Sequence, residues 1–408
     1  MKSLLCAILI ASTAAAVTAA TVAAQSPSAN TADQTAVVKG SNAFALDLYA
    51  QLRTQPGNLF FSPESISTAF AMAYAGARGE TATEMAHVFH YTLPQERLHP
   101  AVGALLAGMN GTHDGYELHV ADALWAQQST NFLPAYLNLV QTDYGAGFRQ
   151  VNFSTSAESV RATINAWVAQ ETNNKIQNLL APGTITPATL LVLTNAIYFK
   201  GAWLNPFKKA YTEPDDFHLS ATQTVKTPMM DRTGSYNYYD GGTFQEVELP
   251  YQGNELSMVV LLPKTIDGLP ALEKSFTAAN LSAWLNRLAP APKVNLELPV
   301  FTMTDSFDLG GILSAMGMPQ AFSRTADFSG MTGKPLFQIS KAVHKAYVDV
   351  NETGTEAAAA TAVMMVGASM AEEQEIIAFD ADHPFLFLIR DTTTGSILFL
   401  GRLTDPTK

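Results

Sequence analysis

Reactive side chains are plentiful in this chain but they are not grouped. Eight histidines are spread singly along 408 residues. His87 and His90 stand three apart, a spacing that brings two imidazoles to one side of a helix. No acidic or third ligand is placed beside them to complete a metal site. The sequence has no HExxH, no CxxC, no phosphate-binding loop and no GxSxG elbow. Ser, His and Asp all occur, so composition leaves a hydrolase triad open. No serine, however, stands in the strand–turn–helix setting of an activated nucleophile. Cys6 is the one cysteine. It lies in the apolar leader, so a chain stripped of that leader has no thiol nucleophile, disulfide or zinc–thiolate site. The expectation is no cofactor and no metal.

The segment with the most unusual chemistry is mechanical rather than catalytic. Glu352–Thr361 reads ETGTEAAAAT. Before it, Leu336–Val350 alternates like a strand leaving a sheet. After it, Phe379–Ile389 reads as a strand entering one. By propensity alone Ala357, Ala358, Ala359 and Ala360 favour a short helix or linker. A second demand also explains them: a segment that pushes between two paired strands needs small side chains on its inward face. Strand side chains alternate, so Thr355, Ala357, Ala359 and Thr361 would face one way, and Glu356, Ala358 and Ala360 the other. The one charge, Glu356, then falls on the outward set and escapes the several kcal/mol that a buried charge costs. Gly354 suits a pivot because it tolerates backbone angles that other residues cannot.

Several further stretches turn this local reading into a resemblance. ETGTEAAAAT is similar to the reactive-centre-loop hinge of inhibitory serpins, and FDADHPFLFLI (Phe379–Ile389) to the serpin signature that follows. NLFFSPESISTAFAMAYAGARGET (Asn58–Thr81), INAWVAQETNNKI (Ile164–Ile176) and LVLTNAIYFKGAWLNPF (Leu191–Phe207) resemble the family in the same order. The resemblance spans residues 41–404 and is to inhibitory, secreted serpins such as those of bacteria. It implies an α+β serpin fold: helices around a large mixed central β-sheet, two smaller sheets and an exposed reactive-centre loop. Ser62, Asn195 and His344 match a hydrogen-bonded cluster where strands part to admit the loop. Trp203, with Gly201 and Glu352, matches the region where insertion begins. One departure stands out. Many serpins place a lysine after a Leu-Pro pair to hold the residue matching Glu352, whereas here Val300 follows Leu298-Pro299.

Family spacing from Glu352 puts the scissile bond between Ala368 and Ser369, with Met365, Val366 and Met370 open as alternatives. The window Met364–Ala371 has no Lys, Arg or aromatic residue, which suits a shallow specificity pocket. The resemblance thus implies a suicide-substrate inhibitor of elastase-like or subtilisin-like serine proteases. The alternatives are a non-inhibitory storage, carrier or binding serpin, and an unrelated hydrolase.

Composition agrees with a large core: 47% hydrophobic and 15% charged residues, with a net charge of −12. The acidic balance and scattered Lys and Arg supply no phosphate footprint for nucleic acid. Residues 1–24 read as a secretory signal, with Lys2, an apolar Leu4–Ala16 core and small residues at Val22-Ala23-Ala24. As a membrane anchor the apolar part is too short. Export to the periplasm or the outside medium is therefore expected. Residues 25–39 read as a flexible leader and 40–408 as one domain, with its loop at about 352–378, acting as a monomer. Within that domain Ser41 reads as a helix cap, Ser62-Pro63 as a second helix start, and Gly253-Asn254 as a tight turn between strands.

Overall fold

The computed structural model describes residues 31–145, 147–335, 338–355 and 376–408. The helices are α1 (Thr31–Leu52), α2 (Pro63–Tyr74), α3 (Gly79–Val88), α4 (Gln95–Met109), α5 (Pro134–Tyr144), α6 (Phe153–Glu171), α7 (Leu269–Ser275), α8 (Ala278–Leu285), α9 (Leu309–Met316) and α10 (Ser329–Thr332). The early strands are β1 (Leu59–Phe61), β2 (Gly111–His113), β3 (Tyr116–Gln127), β4 (Phe148–Val151), β5 (Leu191–Ala202), β6 (Glu213–Ser220), β7 (Gln223–Asp240) and β8 (Phe244–Pro250). Those that follow are β9 (Leu256–Pro263), β10 (Ala289–Pro299), β11 (Phe301–Asp308), β12 (Lys341–Asn351), β13 (Gly354–Thr355), β14 (Ile377–Asp380), β15 (Phe385–Asp391) and β16 (Ile397–Leu403).

The strands of the central sheet run β11-β12-β13-β5-β3-β2, with β4 beside β3 and a direct β12–β5 pairing. The remaining strands form a ribbon in the order β1-β16-β15-β9-β8-β7-β10-β14, with β6 on β7. The two smaller sheets thus run into one another through the long β7 and β10. This is the α+β architecture expected of the serpin-like sequence.

β5 shows why an almost uninterrupted apolar run forms a strand here. Leu191 and Leu193 pack into the core beneath α2. Val192 and Ala196 pack instead with Ile164 and Val168 of α6 on the opposite face. Both faces are buried, so alternation between apolar and polar residues disappears. α2 is buried along its whole length. It is started by Ser62, whose Oγ accepts the Ser65 N–H at 3.3 Å, and by Pro63 in the first turn. Such a cap is worth about 1 kcal/mol. Between β8 and β9, Tyr251 N–H bonds to Leu256 O and Asn254 N–H to Tyr251 O, so the expected tight turn is a loop of residues 252–255 in which Gly253 and Asn254 take positive φ of 84° and 59°.

Two expectations need correcting. Helix α1 begins at Thr31, so residues 31–39 are not a flexible leader, and Ser41 lies buried inside the helix rather than capping it. Tertiary contacts draw these polar residues into order: Asp33 accepts both Arg97 Nε and Arg97 Nη2 of α4, and Val38 is buried. The helix α4 also forms around an internal Pro100, a residue whose missing N–H ordinarily argues against a helix.

Candidate functional site: the sheet seam and the loop hinge

β5 and β12 pair in parallel from Val192 opposite Lys341 to Tyr198 opposite Tyr347. Beyond that point the pairing changes partners. Gly354 pairs with Ala202 and Thr355 with Gly201 on one side. On the other, the same two residues pair with Asn351 and Val350. Gly354 and Thr355 of the hinge therefore already sit as the start of a new strand between β12 and β5.

This start is anchored at several atoms. Trp203 N–H donates to Thr353 O at 3.0 Å, and Phe207 N–H to Glu352 O at 2.9 Å. The indole Nε1–H of Trp203 donates to Asn351 O at 3.0 Å. Trp203 stacks on Tyr251 with ring centres 4.6 Å apart, and Phe199 meets Tyr251 edge-on at 5.1 Å. Tyr251 is fully buried and its hydroxyl lies 2.7 Å from Thr355 Oγ1. Burial pushes the Tyr251 phenol well above its ordinary range, so it stays neutral and free to donate.

Glycine is required at two points here. A Cβ on Gly354, whose φ is +152°, would lie 2.0 Å from Gly201 O. A Cβ on Gly201 would meet the Phe199 ring at 2.6 Å and the Tyr251 ring at 2.8 Å. Glu352 is half-exposed, and no cation pairs with its carboxylate among the described residues. The Val300 departure bears on that corner: Val300 N–H bonds to Pro228 O at 2.9 Å, and its apolar side chain offers no charge. Glu356, Ala357, Ala358, Ala359, Ala360, Thr361, Ala368 and Ser369 lie outside the described residues, as do Met365, Val366 and Met370.

Ser62, Asn195 and His344 do meet. Asn195 and His344 stand in register across the seam. The Ser62 N–H donates to His344 Nε2 at 3.1 Å. That nitrogen must be bare, so the proton is on Nδ1, which donates to Asn195 Oδ1. Burial holds His344 down at about 3, because charging it would set an N–H against the Ser62 N–H. Trp203 does not join this group. It belongs with the hinge, about 25 Å further along β5 at the usual rise per residue.

Two members of the cluster were not foreseen. Asn195 Nδ2–H donates to Ser65 Oγ and to Asp122 Oδ1, and Ser65 Oγ–H to Asp122 Oδ1 at 3.1 Å. The signal for Asp122 was a lone charge inside the apolar run of β3. Serine, histidine and aspartate meet here, but not as nucleophile and base. His344 bonds a backbone amide rather than a hydroxyl, and both it and Ser62 are fully buried, so no substrate reaches them. Among the described residues no His, Cys, Asp or Glu group is arranged to hold a metal ion, and no helix is long and apolar enough to cross a membrane.

The comparisons with known proteins converge. The family model for serpin (serine protease inhibitor) matches residues 39–406. The human leukocyte elastase inhibitor (Homo sapiens) is 42% identical over 373 residues, covering 89% of this chain and 97% of that protein. Uncleaved ovalbumin superposes with a TM-score of 0.82 at 31% identity, over 91% of this chain and 100% of that one. A loop-inserted structure of a cleaved ovalbumin mutant also gives 0.82, at 30% identity over 91% and 100%. The chain belongs to the serpin family of serine protease inhibitors.

Proposed function

We propose that this chain inhibits serine proteases as a suicide substrate. The protease cuts the exposed loop and is held as an acyl-enzyme. The freed loop end then enters the central sheet between β12 and β5 and carries the tethered protease with it. Insertion of about 14 residues at about 3.3 Å each spans roughly 46 Å. The observation that carries this reading is the pairing of Gly354 and Thr355 to both β5 and β12. The strand that insertion would extend has already begun there, and the residues that follow in sequence are small. The uncut molecule is then held by a kinetic barrier rather than by lying lowest in free energy.

The scissile bond we assign is Ala368–Ser369, and the target class elastase-like or subtilisin-like. A small residue before the cut in a window without Lys, Arg or aromatics fits a shallow pocket. We assign residues 1–24 to export; N-terminal sequencing of protein recovered from the medium or periplasm tests this, and a retained leader rejects it. Incubation with elastase and with subtilisin tests the function itself. A covalent complex that survives denaturant supports inhibition. Cleavage without complex supports a non-inhibitory storage, carrier or binding role. Turnover of substrate by the chain alone supports a hydrolase. Mass spectrometry of the released fragment reads the bond, and a cut outside Val366–Met370 rejects the assignment.

A further inference from the structure

Three segments distant in the chain bring four hydroxyls and one carboxyl to a single small cavity. Ser41 comes from α1, Glu64, Ser67 and Thr68 from the first two turns of α2, and Ser396 from the turn before β16. All five residues are more than nine-tenths buried. Val38 of α1 and Val102 of α4 close the space with apolar surface. The room inside is about 10 Å³, that of one water-sized sphere.

Two of these oxygens lack partners. Ser41 Oγ and Glu64 Oε2 are sealed from solvent, and neither makes a hydrogen bond among the described residues. A serine inside a helix ordinarily turns its hydroxyl back on the carbonyl one turn earlier, but Ser41 does not. The other oxygen of Glu64, Oε1, accepts the Thr68 hydroxyl at 2.9 Å. That bond holds the carboxyl and leaves Oε2 as the spare acceptor. Charge is unbalanced as well. The titratable neighbours of Glu64 are Asp122 of β3 and Tyr91 between α3 and α4, and both are acids. Among the described residues no Lys, Arg or His pairs with Glu64. An ionised carboxylate buried this deeply is expensive unless a positive charge meets it. Burial pushes Glu64 up to about 7, the direction expected of a carboxyl without such a partner.

We propose that this cavity binds a bare monovalent cation of potassium size, held by Glu64 Oε2 and Ser41 Oγ, with the hydroxyls of Ser67, Thr68 and Ser396 completing its shell. The donor set selects the ion. One carboxylate neutralises one charge, so a divalent ion would carry uncompensated charge into the core. Calcium asks for more oxygens, several of them carboxylate, and magnesium keeps waters of its own. A space for one sphere has no room for either arrangement. No thiolate or imidazole lines the cavity, so transition metals find none of their preferred ligands. A potassium or ammonium ion has nearly the radius of a water molecule. Hydroxyl oxygens can replace its hydration shell as carbonyls do in a selective pore. Each hydroxyl proton rotates to suit, so every one of them can turn a lone pair to the ion, and Thr68 does so while still donating to Oε1. The bound ion takes the place of a proton on Glu64 and ties α1 to α2 and to the β15–β16 turn. This inference stands apart from the inhibitory mechanism: a loop that never inserts leaves the site unchanged.

Rubidium is the probe, because it behaves like potassium and scatters anomalously. In crystals grown with rubidium chloride we expect an anomalous peak between Glu64 Oε2 and Ser41 Oγ in wild type and none in Glu64→Gln. Density there without anomalous signal marks a plain water and overturns the proposal. A peak that persists in Glu64→Gln does the same. In solution at pH 8, potassium chloride should raise the wild-type melting temperature by about 2 °C over choline chloride of equal ionic strength, saturably, and leave Glu64→Gln unmoved. A crystal peak without that shift is binding at crystal concentration only and overturns the proposal, as does an equal shift in Glu64→Gln. Should Glu64→Gln fail to fold, Ser41→Ala decides. It removes one ligand and keeps the carboxyl, so the potassium concentration at half-effect should rise about tenfold, and an unchanged value overturns the assignment.

Discussion

The hydroxyl of Tyr251 lies 2.7 Å from Oγ1 of Thr355, and this contact joins the core of one sheet to the first inserted residue of the loop. Thr355 is fully buried. The inward face assigned to it by strand alternation is the face it presents. Tyr251 is in turn clamped between Trp203 and Phe199, so the hydrogen bond is made to a rigid ring.

Tyr251→Phe leaves the Thr355 hydroxyl buried without its partner. The cost is about 1–3 kcal/mol. The hinge is expected to leave the sheet more often, and limited proteolysis near residue 355 should speed up. An unchanged nicking rate would show that the bond does not hold the hinge.

Thr355→Arg sets a charge where no water reaches, at a cost of several kcal/mol. The substituted hinge should not seat between β5 and β12. The protein should then be cleaved by its target as an ordinary substrate. Gel analysis in denaturant reads this directly: full complex yield in the variant would contradict the insertion site. Gly354→Ala is expected to act in the same direction but more weakly, because its Cβ would be driven against Gly201 O.

His344→Ala strips partners from both the Ser62 N–H and Asn195 Oδ1. Stability is expected to fall by about 1–3 kcal/mol. Heat-induced polymer or self-inserted forms should appear at lower temperature. The wild-type pH profile follows from the same residue. With His344 held at about 3 when folded and near 6.5 unfolded, the unfolded chain binds the extra proton. Native stability from this group is complete above about pH 6.5 and drains away towards pH 3, by on the order of 5 kcal/mol in total. Urea titrations of wild type and His344→Ala at several pH values measure the difference, which should shrink on acidification.

Glu246 on β8 is fully buried, and neither carboxyl oxygen has a partner. Burial raises it to about 8. Because the folded form holds the proton more tightly, its contribution is present below about pH 4.5 and is lost as pH rises to about 8. Glu246→Gln should therefore unfold less readily than wild type above that pH and show little change in acid. Equal alkaline sensitivity of the two proteins would rule this out.

Cleavage at Ala368–Ser369 should raise the melting temperature, because the inserted strand adds ladder hydrogen bonds and buried side chains to β5 and β12. Calorimetry of intact and nicked protein is decisive: coincident transitions would mean that no strain is stored in the uncut molecule.

Legible in the sequence, through its resemblance to serpins, were the fold class and the meeting of Ser62, Asn195 and His344. Local pattern marked the buried-strand run of β5, the Ser62-Pro63 helix start and the small residues after Gly354. It left the partners of those residues open. That Thr355 meets Tyr251, and that Asp122 and Ser65 complete the bonds of Asn195, depends on segments 57 to 130 positions apart in the chain. Only tertiary structure brought them together. The same holds for α1, whose polar first turns read as leader until Arg97 of α4 reached Asp33. A strand's side-chain alternation is set by adjacent residues, whereas burial and its unpaired carboxyls are set by whatever the rest of the chain packs against it.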